Sequence, residues 1–316
     1  MMNNIKSANL VIGIDGGGTK TVALLADESG DVLSEEVGGP SNFHIIGVEV
    51  AAKTLVKLIK TCCTKAGCAT DMVAVIVMGL AGAGRLPDQD RVAEGVKKVA
   101  RSRRLKLNKI IVESDARIAL EGAFRGATGI VMIVGTGSIA AGKDNDGTIH
   151  RVGGWGRTLG DEGGGYFLGQ EALIAVLRQY DGRGESTILT DLIAGKHQLE
   201  NVEAIIAAVY NKTIDIASLA PDVIEAAREG DRVAEKILQR GAVEIEEHVR
   251  VLSSKLNSTQ KIHTVLLGGL LSGDNLYSKI VREKISGSLP NVQIQPALVS
   301  PGYGAVLMAL SAARTG

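Results

Sequence analysis

The sequence predicts an α/β protein of two domains, and three observations carry that expectation. Strands and helices alternate over residues 1–124, a glycine-rich strand–turn–strand unit occurs twice, and glycine is abundant where aromatics are scarce. The 316 residues suit two domains, at about 100–200 residues each. Glycine occurs 40 times and aromatics make up 3%; many tight turns or close backbone approaches are implied. The 35 basic and 35 acidic side chains cancel, so neither nucleic acid nor a membrane surface is expected as a partner. The uncharged run Thr128–Gly142 is broken by glycines and falls short of the roughly 20 apolar residues of a spanning helix. MMNNIKSANL lacks a long apolar leader core, and Cys62, Cys63 and Cys68 are too few and too clustered for a disulfide framework. A cytoplasmic, reduced protein is expected.

Apolar LVIGI (10–14), the turn DGGGTKT, VALLA, the turn DESGD and VLSEEV predict a three-stranded meander, with the first strand near residue 9 and no DNA-binding module expected ahead of it. VEVAAKTLVKLIKTCC (48–63) has apolar residues at helical spacing. MVAVIVM (72–78) reads as a buried strand, Pro87–Arg104 as a helix and KIIV (109–112) as a short strand, giving a largely parallel core. IVMIV (130–134), the turn GTGS, IAAGK, the turn DNDG and TIHRV (148–152) then reproduce the opening unit about 120 residues later, which suggests duplicated α/β domains facing each other. Residues 161–256 read as mostly helical; Ala234, Leu238, Ala242, Ile245, Val249, Leu252 and Leu256 form one apolar stripe. IHTVLLGGLL (262–271) is a buried strand ending in glycines, QIQPALVSP a short strand and turn, and Gly302–Arg314 a closing helix.

DGGGTKT (15–21) and GTGS (135–138) both place glycines at a strand end, where backbone N–H groups converge on an anion and Thr19, Thr136 and Ser138 add hydroxyls. Either loop alone is explained by a tight turn. Two of them suit a nucleotide's phosphates, with Asp15 placed to meet a hydrated cation. No G-x-x-x-x-G-K-[ST] motif occurs. Gly135–Ala140 matches G-x-G-x-x-A, but a strand and turn follow where a dinucleotide fingerprint opens a helix, so no nicotinamide enzyme is expected. Asp115 in ESDARIALEGAF fits two roles, helix N-cap or general base at a strand's carboxyl end. In GGWGRTLGDEGGGYFLG (153–169), Asp161 and Glu162 stand at the expected start of the next helix, where they favour its dipole or, beside Trp155, grip the hydroxyls of a sugar. Asn42 offers an amide on a loop, or is an ordinary turn residue. The basic run KKVARSRRLK (97–106) reads as a solvated helix end, at most a local anion patch, and His44, His150, His197, His248 and His263 show no metal spacing.

DGGGTKT, SN followed by Gly47, GLAGAG (79–84), ESDA, GTGS, GGWGRTLGDEGGG and LLGG, in that order, resemble the N-acetylglucosamine kinase and BadF/BadG/BcrA/BcrD-type ATPase family of the actin, Hsp70 and sugar kinase superfamily. The resemblance implies two ribonuclease-H-like (actin/hexokinase-type) domains with a nucleotide cleft between them, residues 1–124 and 125–301, with the helix over 302–316 returning to the first. It implies ATP and an amino sugar, most simply N-acetylglucosamine, as substrates, with Mg²⁺. Asp15 would hold the cation, and Gly16, Gly17, Gly18, Thr19, Lys20, Gly135, Thr136 and Gly137 the phosphates. Gly268 and Gly269 would border the adenosine. Asn42, Ser138, Gly154, Trp155, Gly156 and Asp161 would contact the sugar, and Asp115 would take the proton from its 6-hydroxyl. Phosphoryl transfer needs this set of positioning, neutralisation and a base. A homodimer is compatible with the resemblance.

The chain departs from the pattern at Ile139, where animal N-acetylglucosamine kinases carry Asn, which removes a polar contact near the sugar; related bacterial kinases act on glucosamine or N-acetylmuramic acid. A reading of another class is an ATPase that activates a CoA-ester dehydratase or reductase through a shared iron–sulfur cluster, which needs cysteines beyond the first phosphate hairpin near a dimer axis; none follows Cys68. A nucleotide switch of the chaperone or filament kind would leave the sugar-loop residues without a purpose, and the cysteine-rich zinc motif of the ROK group is absent.

Overall fold

The computed structural model of the chain describes residues 10–256, 258 and 260–315. Residues 1–9, which carry the leader expectation, and Gly316, the end of the expected closing segment, lie outside the described residues. The chain divides into two compact units, one of residues up to Ala127 together with those from Ala297 onward, the other Thr128–Pro296.

The first unit opens with the meander β1 (Leu10–Gly16), β2 (Thr21–Ala26) and β3 (Val32–Gly38), followed by α1 (Phe43–Ile46), α2 (Val48–Ala66), β4 (Val73–Leu80), α3 (Leu86–Ser102), β5 (Lys109–Ser114) and α4 (Asp115–Phe124). The second runs β6 (Gly129–Val134), β7 (Ser138–Lys143), β8 (Ile149–Gly153), α5 (Gly165–Tyr180), α6 (Leu189–His197), α7 (Val202–Tyr210), α8 (Ala220–Arg228), α9 (Arg232–Leu256), β9 (Ile262–Leu267), α10 (Leu276–Ser288) and β10 (Val292–Ile294). Then α11 (Pro301–Arg314) belongs to the first unit again.

Each unit holds a five-stranded sheet of the same order, β3-β2-β1-β4-β5 and β8-β7-β6-β9-β10. The core is mixed where a largely parallel one was expected, because the short turns of both meanders impose antiparallel neighbours; only β1-β4-β5 and β6-β9-β10 run parallel. The duplication extends to single atoms. Asp27 Oδ1 accepts from the N–H groups of Ser29 and Asp31, and Asp144 Oδ1 accepts in the same way from Asp146 and Thr148, so DESGD and DNDGT are one turn used twice.

β1 is buried on both faces because helices cover both. Leu10, Ile12 and Ile14 pack with α2 and α3, while Val11 packs with Ile118 of α4 and Ala305, Val306 and Ala309 of α11. Gly13 lets α11 rest directly on the strand, since a β-carbon there would strike Val306 and lie 2.6 Å from the Gly302 carbonyl. In the second unit the predicted apolar stripe of α9 is buried from Ala234 to Leu256. No described helix is long and apolar enough to cross a membrane.

Candidate functional site

In the first unit the motifs scattered along the sequence gather at the carboxyl ends of β1, β4 and β5. The turn after β1 closes through the Gly17 N–H, which donates to the Lys20 carbonyl at 3.0 Å, and Gly18, Thr19 and Lys20 are exposed at its tip. The Gly17 carbonyl accepts from both Ser41 N (3.0 Å) and Asn42 N (3.2 Å). The buried Thr21 hydroxyl lies 2.8 Å from the Ser41 hydroxyl, so the Ser-Asn loop is strapped to the glycine turn. A β-carbon at Gly16 would meet Ser41 and lie 2.5 Å from the Leu80 side chain, which makes glycine obligatory there. The Gly16 carbonyl also accepts from Ala81 N at 2.8 Å, tying in the GLAGAG segment. Asn42 caps α1, its Oδ1 accepting from His44 N at 3.1 Å; its amide nitrogen has no partner among the described residues.

The parallel register puts Asp15, Gly79 and Glu113 in one row and Gly16, Leu80 and Ser114 in the next, so the two carboxylates share a face across a residue without a side chain. Ile118 fills the gap below, 2.7 Å (Cγ2) from where a Gly79 β-carbon would sit. Asp115 is the first residue of α4, one step past this row. Ser114, not Asp115, is the N-cap, its Oγ accepting from Arg117 N at 3.2 Å. Asp115 Oδ1 accepts from Ala116 N at 2.8 Å. Burial, and then the charge of Asp115, push the pKa of Asp15 from 3.8 up to about 6 against the pull of Lys20. Burial also raises Glu113, opposed by Arg117. Among the described residues no cluster of three or more His, Cys, Asp or Glu side chains is arranged to hold a metal. A cation beside Asp15 would complete its shell with water or phosphate oxygens, and the mutual repulsion of Asp15 and Asp115 fits such a charge.

In the second unit the two glycine motifs form one structure. The Gly135 N–H donates to the Gly137 carbonyl at 2.9 Å, and the first N–H groups of α5, from Gly165 and Tyr166, donate to the Gly135 (2.8 Å) and Thr136 (2.9 Å) carbonyls. The buried Ser138 begins β7; its hydroxyl donates to the Glu162 carbonyl at 2.6 Å and its carbonyl accepts from Gly154 N at 3.0 Å. Its predicted sugar-facing hydroxyl is therefore committed to the loop. Gly137 has no room for a side chain, since a β-carbon would lie 2.6 Å from the Asp161 carboxyl carbon. Gly268, at φ +91°, packs on β6, where a β-carbon would lie 2.5 Å from the Val134 carbonyl carbon; the space beside Gly269 is open.

The expected helix start at Asp161 and Glu162 is corrected. The helix begins at Gly165 with Gly164 as its N-cap, and Asp161 holds a left-handed φ of +63° in the turn before it. The glycines around it adopt the positive φ that lets the chain double back. Asp161 Oδ1 accepts from Gly156 N at 3.2 Å, and burial raises its pKa, opposed by that bond and by Arg151 and His248. Trp155 is 58% exposed, with the Arg151 guanidinium 4.7 Å from its ring. Arg151 also donates to the Gly153 carbonyl at 3.0 Å and to that of Gly154. Ile139 lies under the loop, 2.7 Å from where a Gly154 β-carbon would be. Glu113 and Arg151 escaped the sequence reading, and His248 entered it only as a histidine without metal spacing, because each sits on a strand or helix and reaches the loops only through pairing or packing. Burial lifts the thiols of Cys62 and Cys63 to about 11 and about 12, which makes them inert core residues.

The family model described as the BadF/BadG/BcrA/BcrD ATPase family matches residues 12–309. An N-acetylmuramic acid/N-acetylglucosamine kinase from Clostridium acetobutylicum is 34% identical over 305 residues, covering 95% of this chain and 98% of its own. An N-acetyl-D-glucosamine kinase from Dictyostelium discoideum is 31% identical, covering 98% and 100%. A solved structure from Chromobacterium violaceum, described as that of a candidate N-acetylglucosamine kinase, superposes with a TM-score of 0.77 at 26% identity, covering 96% of this chain and 100% of its own.

Proposed function

The chain belongs to the BadF/BadG/BcrA/BcrD ATPase family, and from that premise we propose that it transfers the γ-phosphoryl group of ATP to the 6-hydroxyl of an amino sugar, N-acetylglucosamine first among them. That it is a sugar kinase rests on its full-length likeness to named kinases; the substrate and the roles that follow are the proposal. The observation that carries it is the placement of Asp15 at the end of β1 and of Asp115 just past β5, at the carboxyl ends of parallel strands of one sheet that also carries the glycine turn after β1.

ATP bound with Mg²⁺ supplies an electrophilic phosphorus whose charge the cation offsets. In this reading the backbone turns at Gly16–Thr19 and at Gly135–Gly137 would each offer N–H groups to phosphate oxygens, Lys20 would add a positive charge at the first, and Asp15 would hold the cation, which supplies charge neutralisation. Gly268 and Gly269 border the adenosine. Asn42 offers its amide nitrogen to the sugar, Asp161 accepts from sugar hydroxyls, and the exposed face of Trp155 packs on the ring. Ser114 is the N-cap of α4 and Asp115 Oδ1 takes the Ala116 N–H; in this reading the Asp115 carboxylate receives the proton of the 6-hydroxyl as that oxygen attacks.

The test is sugar-dependent ADP release by Asp115→Asn. Loss of a general base lowers kcat by about 10²–10⁴-fold, with nucleotide affinity retained. A variant that phosphorylates sugar at a near-normal rate removes Asp115 from this role. Turnover of wild-type protein on N-acetylglucosamine, glucosamine, N-acetylmuramic acid and glucose, compared side by side, assigns the substrate.

A further inference from the structure

The helix α9 delivers one polar side chain to the underside of the sugar loop. His248 is 6% exposed, and its Nδ1 lies 2.6 Å from the Glu244 carbonyl, one helical turn back. A carbonyl can only accept, so Nδ1 carries a proton and Nε2 is the ring nitrogen turned toward the loop. Nε2 has no hydrogen-bond partner among the described residues. It is aimed at Gly153, where a β-carbon would run into it and lie 2.5 Å from Cδ2. Gly153 therefore carries two constraints, its left-handed φ of +73° and the imidazole edge pressed against it.

Around the ring the core of this unit is mainly apolar, with Ile245, Val249 and Leu252 of α9 buried beside it. The ring also reaches the far end of the loop, where, with the Gly156 N–H and Arg151, it favours the ionised Asp161 carboxylate against burial and Glu162.

We propose that His248 is a positioning residue for the substrate: its Nε2 seats the loop from Gly153 to Asp161 and so sets the Asp161 carboxylate and Trp155 against the sugar. The proposal rests on the amino-sugar kinase reading and assigns the loop a support that lies outside its own sequence.

The two ring nitrogens can be separated by substitution. His248→Asn keeps a donor for the Glu244 carbonyl and removes Nε2, whereas His248→Gln reaches the Nε2 position. Trp155 is the only tryptophan of the chain, so its emission reports the loop directly during titration of the full-length protein with N-acetylglucosamine. We expect His248→Asn to weaken sugar binding and raise the sugar KM about tenfold. KM for ATP stays within about twofold, and His248→Gln recovers most of the loss. A residue that merely packs would move the melting temperature of both variants without splitting the two KM values. Equal sugar affinity in wild type and a folded His248→Asn overturns the proposal. Should neither variant fold, the ¹⁵N resonance of Nε2 in wild-type protein decides: a shift on adding sugar supports the proposal, and an unchanged resonance overturns it. A wild type that neither turns over nor binds any amino sugar sinks the substrate reading itself, whereas a responsive wild type matched by His248→Asn sinks only this inference.

Discussion

Asp15 is ionised against the preference of its surroundings. With a folded pKa of about 6 against an ordinary 3.8, the folded state keeps a proton that the unfolded chain has already released between those values. Stability therefore falls as pH rises from about 4 through 6 and stays reduced above it. Asp15→Asn removes the penalty, and we expect a gain of at most about 3 kcal/mol at pH 7.5 that vanishes near pH 4. Thermal melts of both proteins at the two pH values check it; equal melting temperatures at pH 7.5 refute it. The same substitution should abolish turnover if Asp15 holds the cation, so stability is given up for a charge the site needs. Asp15, Asp115 and the glycines stand out in the sequence as candidates because turn and strand-end chemistry is local. Glu113 was not, because only the register across Gly79 places it beside Asp15.

At the scale of elements, α4 and α11 cross so closely that backbone meets backbone. A β-carbon on Gly304 would strike the Ile118 carbonyl and lie 2.5 Å from Gly122 N. Gly304→Ala should destabilise by about 1–3 kcal/mol, whereas Gly287→Ala on α10, with open space around it, should stabilise by about 0.5–1 kcal/mol through helix propensity. Urea denaturation of both distinguishes them, and a neutral Gly304→Ala would contradict the close crossing. Most strands and helices were readable from apolar periodicity, which is a property of the chain itself. The start of α5 was not, because Asp161-Glu162-Gly163 carries the acidic signature of a helix N-terminus yet is bent into a turn by contacts with Gly137 and Gly156.

For the whole molecule, the two units differ in how the chain builds them. Thr128–Pro296 is continuous and owns a complete sheet and core, so that fragment should fold alone and melt cooperatively by circular dichroism. Truncation after Pro296 removes α11 and uncovers Val11, Val75 and Val77, so the first unit should lose its cooperative transition. A noncooperative 128–296 fragment would show that the division is not one of independent stability. The shared strand order and the repeated aspartate turn mark one architecture used twice. Its chemistry is not repeated: Asp15 lies one residue before the end of β1, and the same position of β6 is Ile133.

The order of motifs, the duplicated hairpin and the candidates for phosphate binding and proton transfer follow from the sequence alone, because turn chemistry and strand or helix periodicity are set by neighbours along the chain. The row that joins Asp15 to Glu113, the seating of the Ser-Asn loop on Gly17, and the placement of Arg151 and His248 under the glycine loop exist only after folding. Strand register and helix packing bring together groups far apart in sequence, and no local pattern encodes which of them will meet.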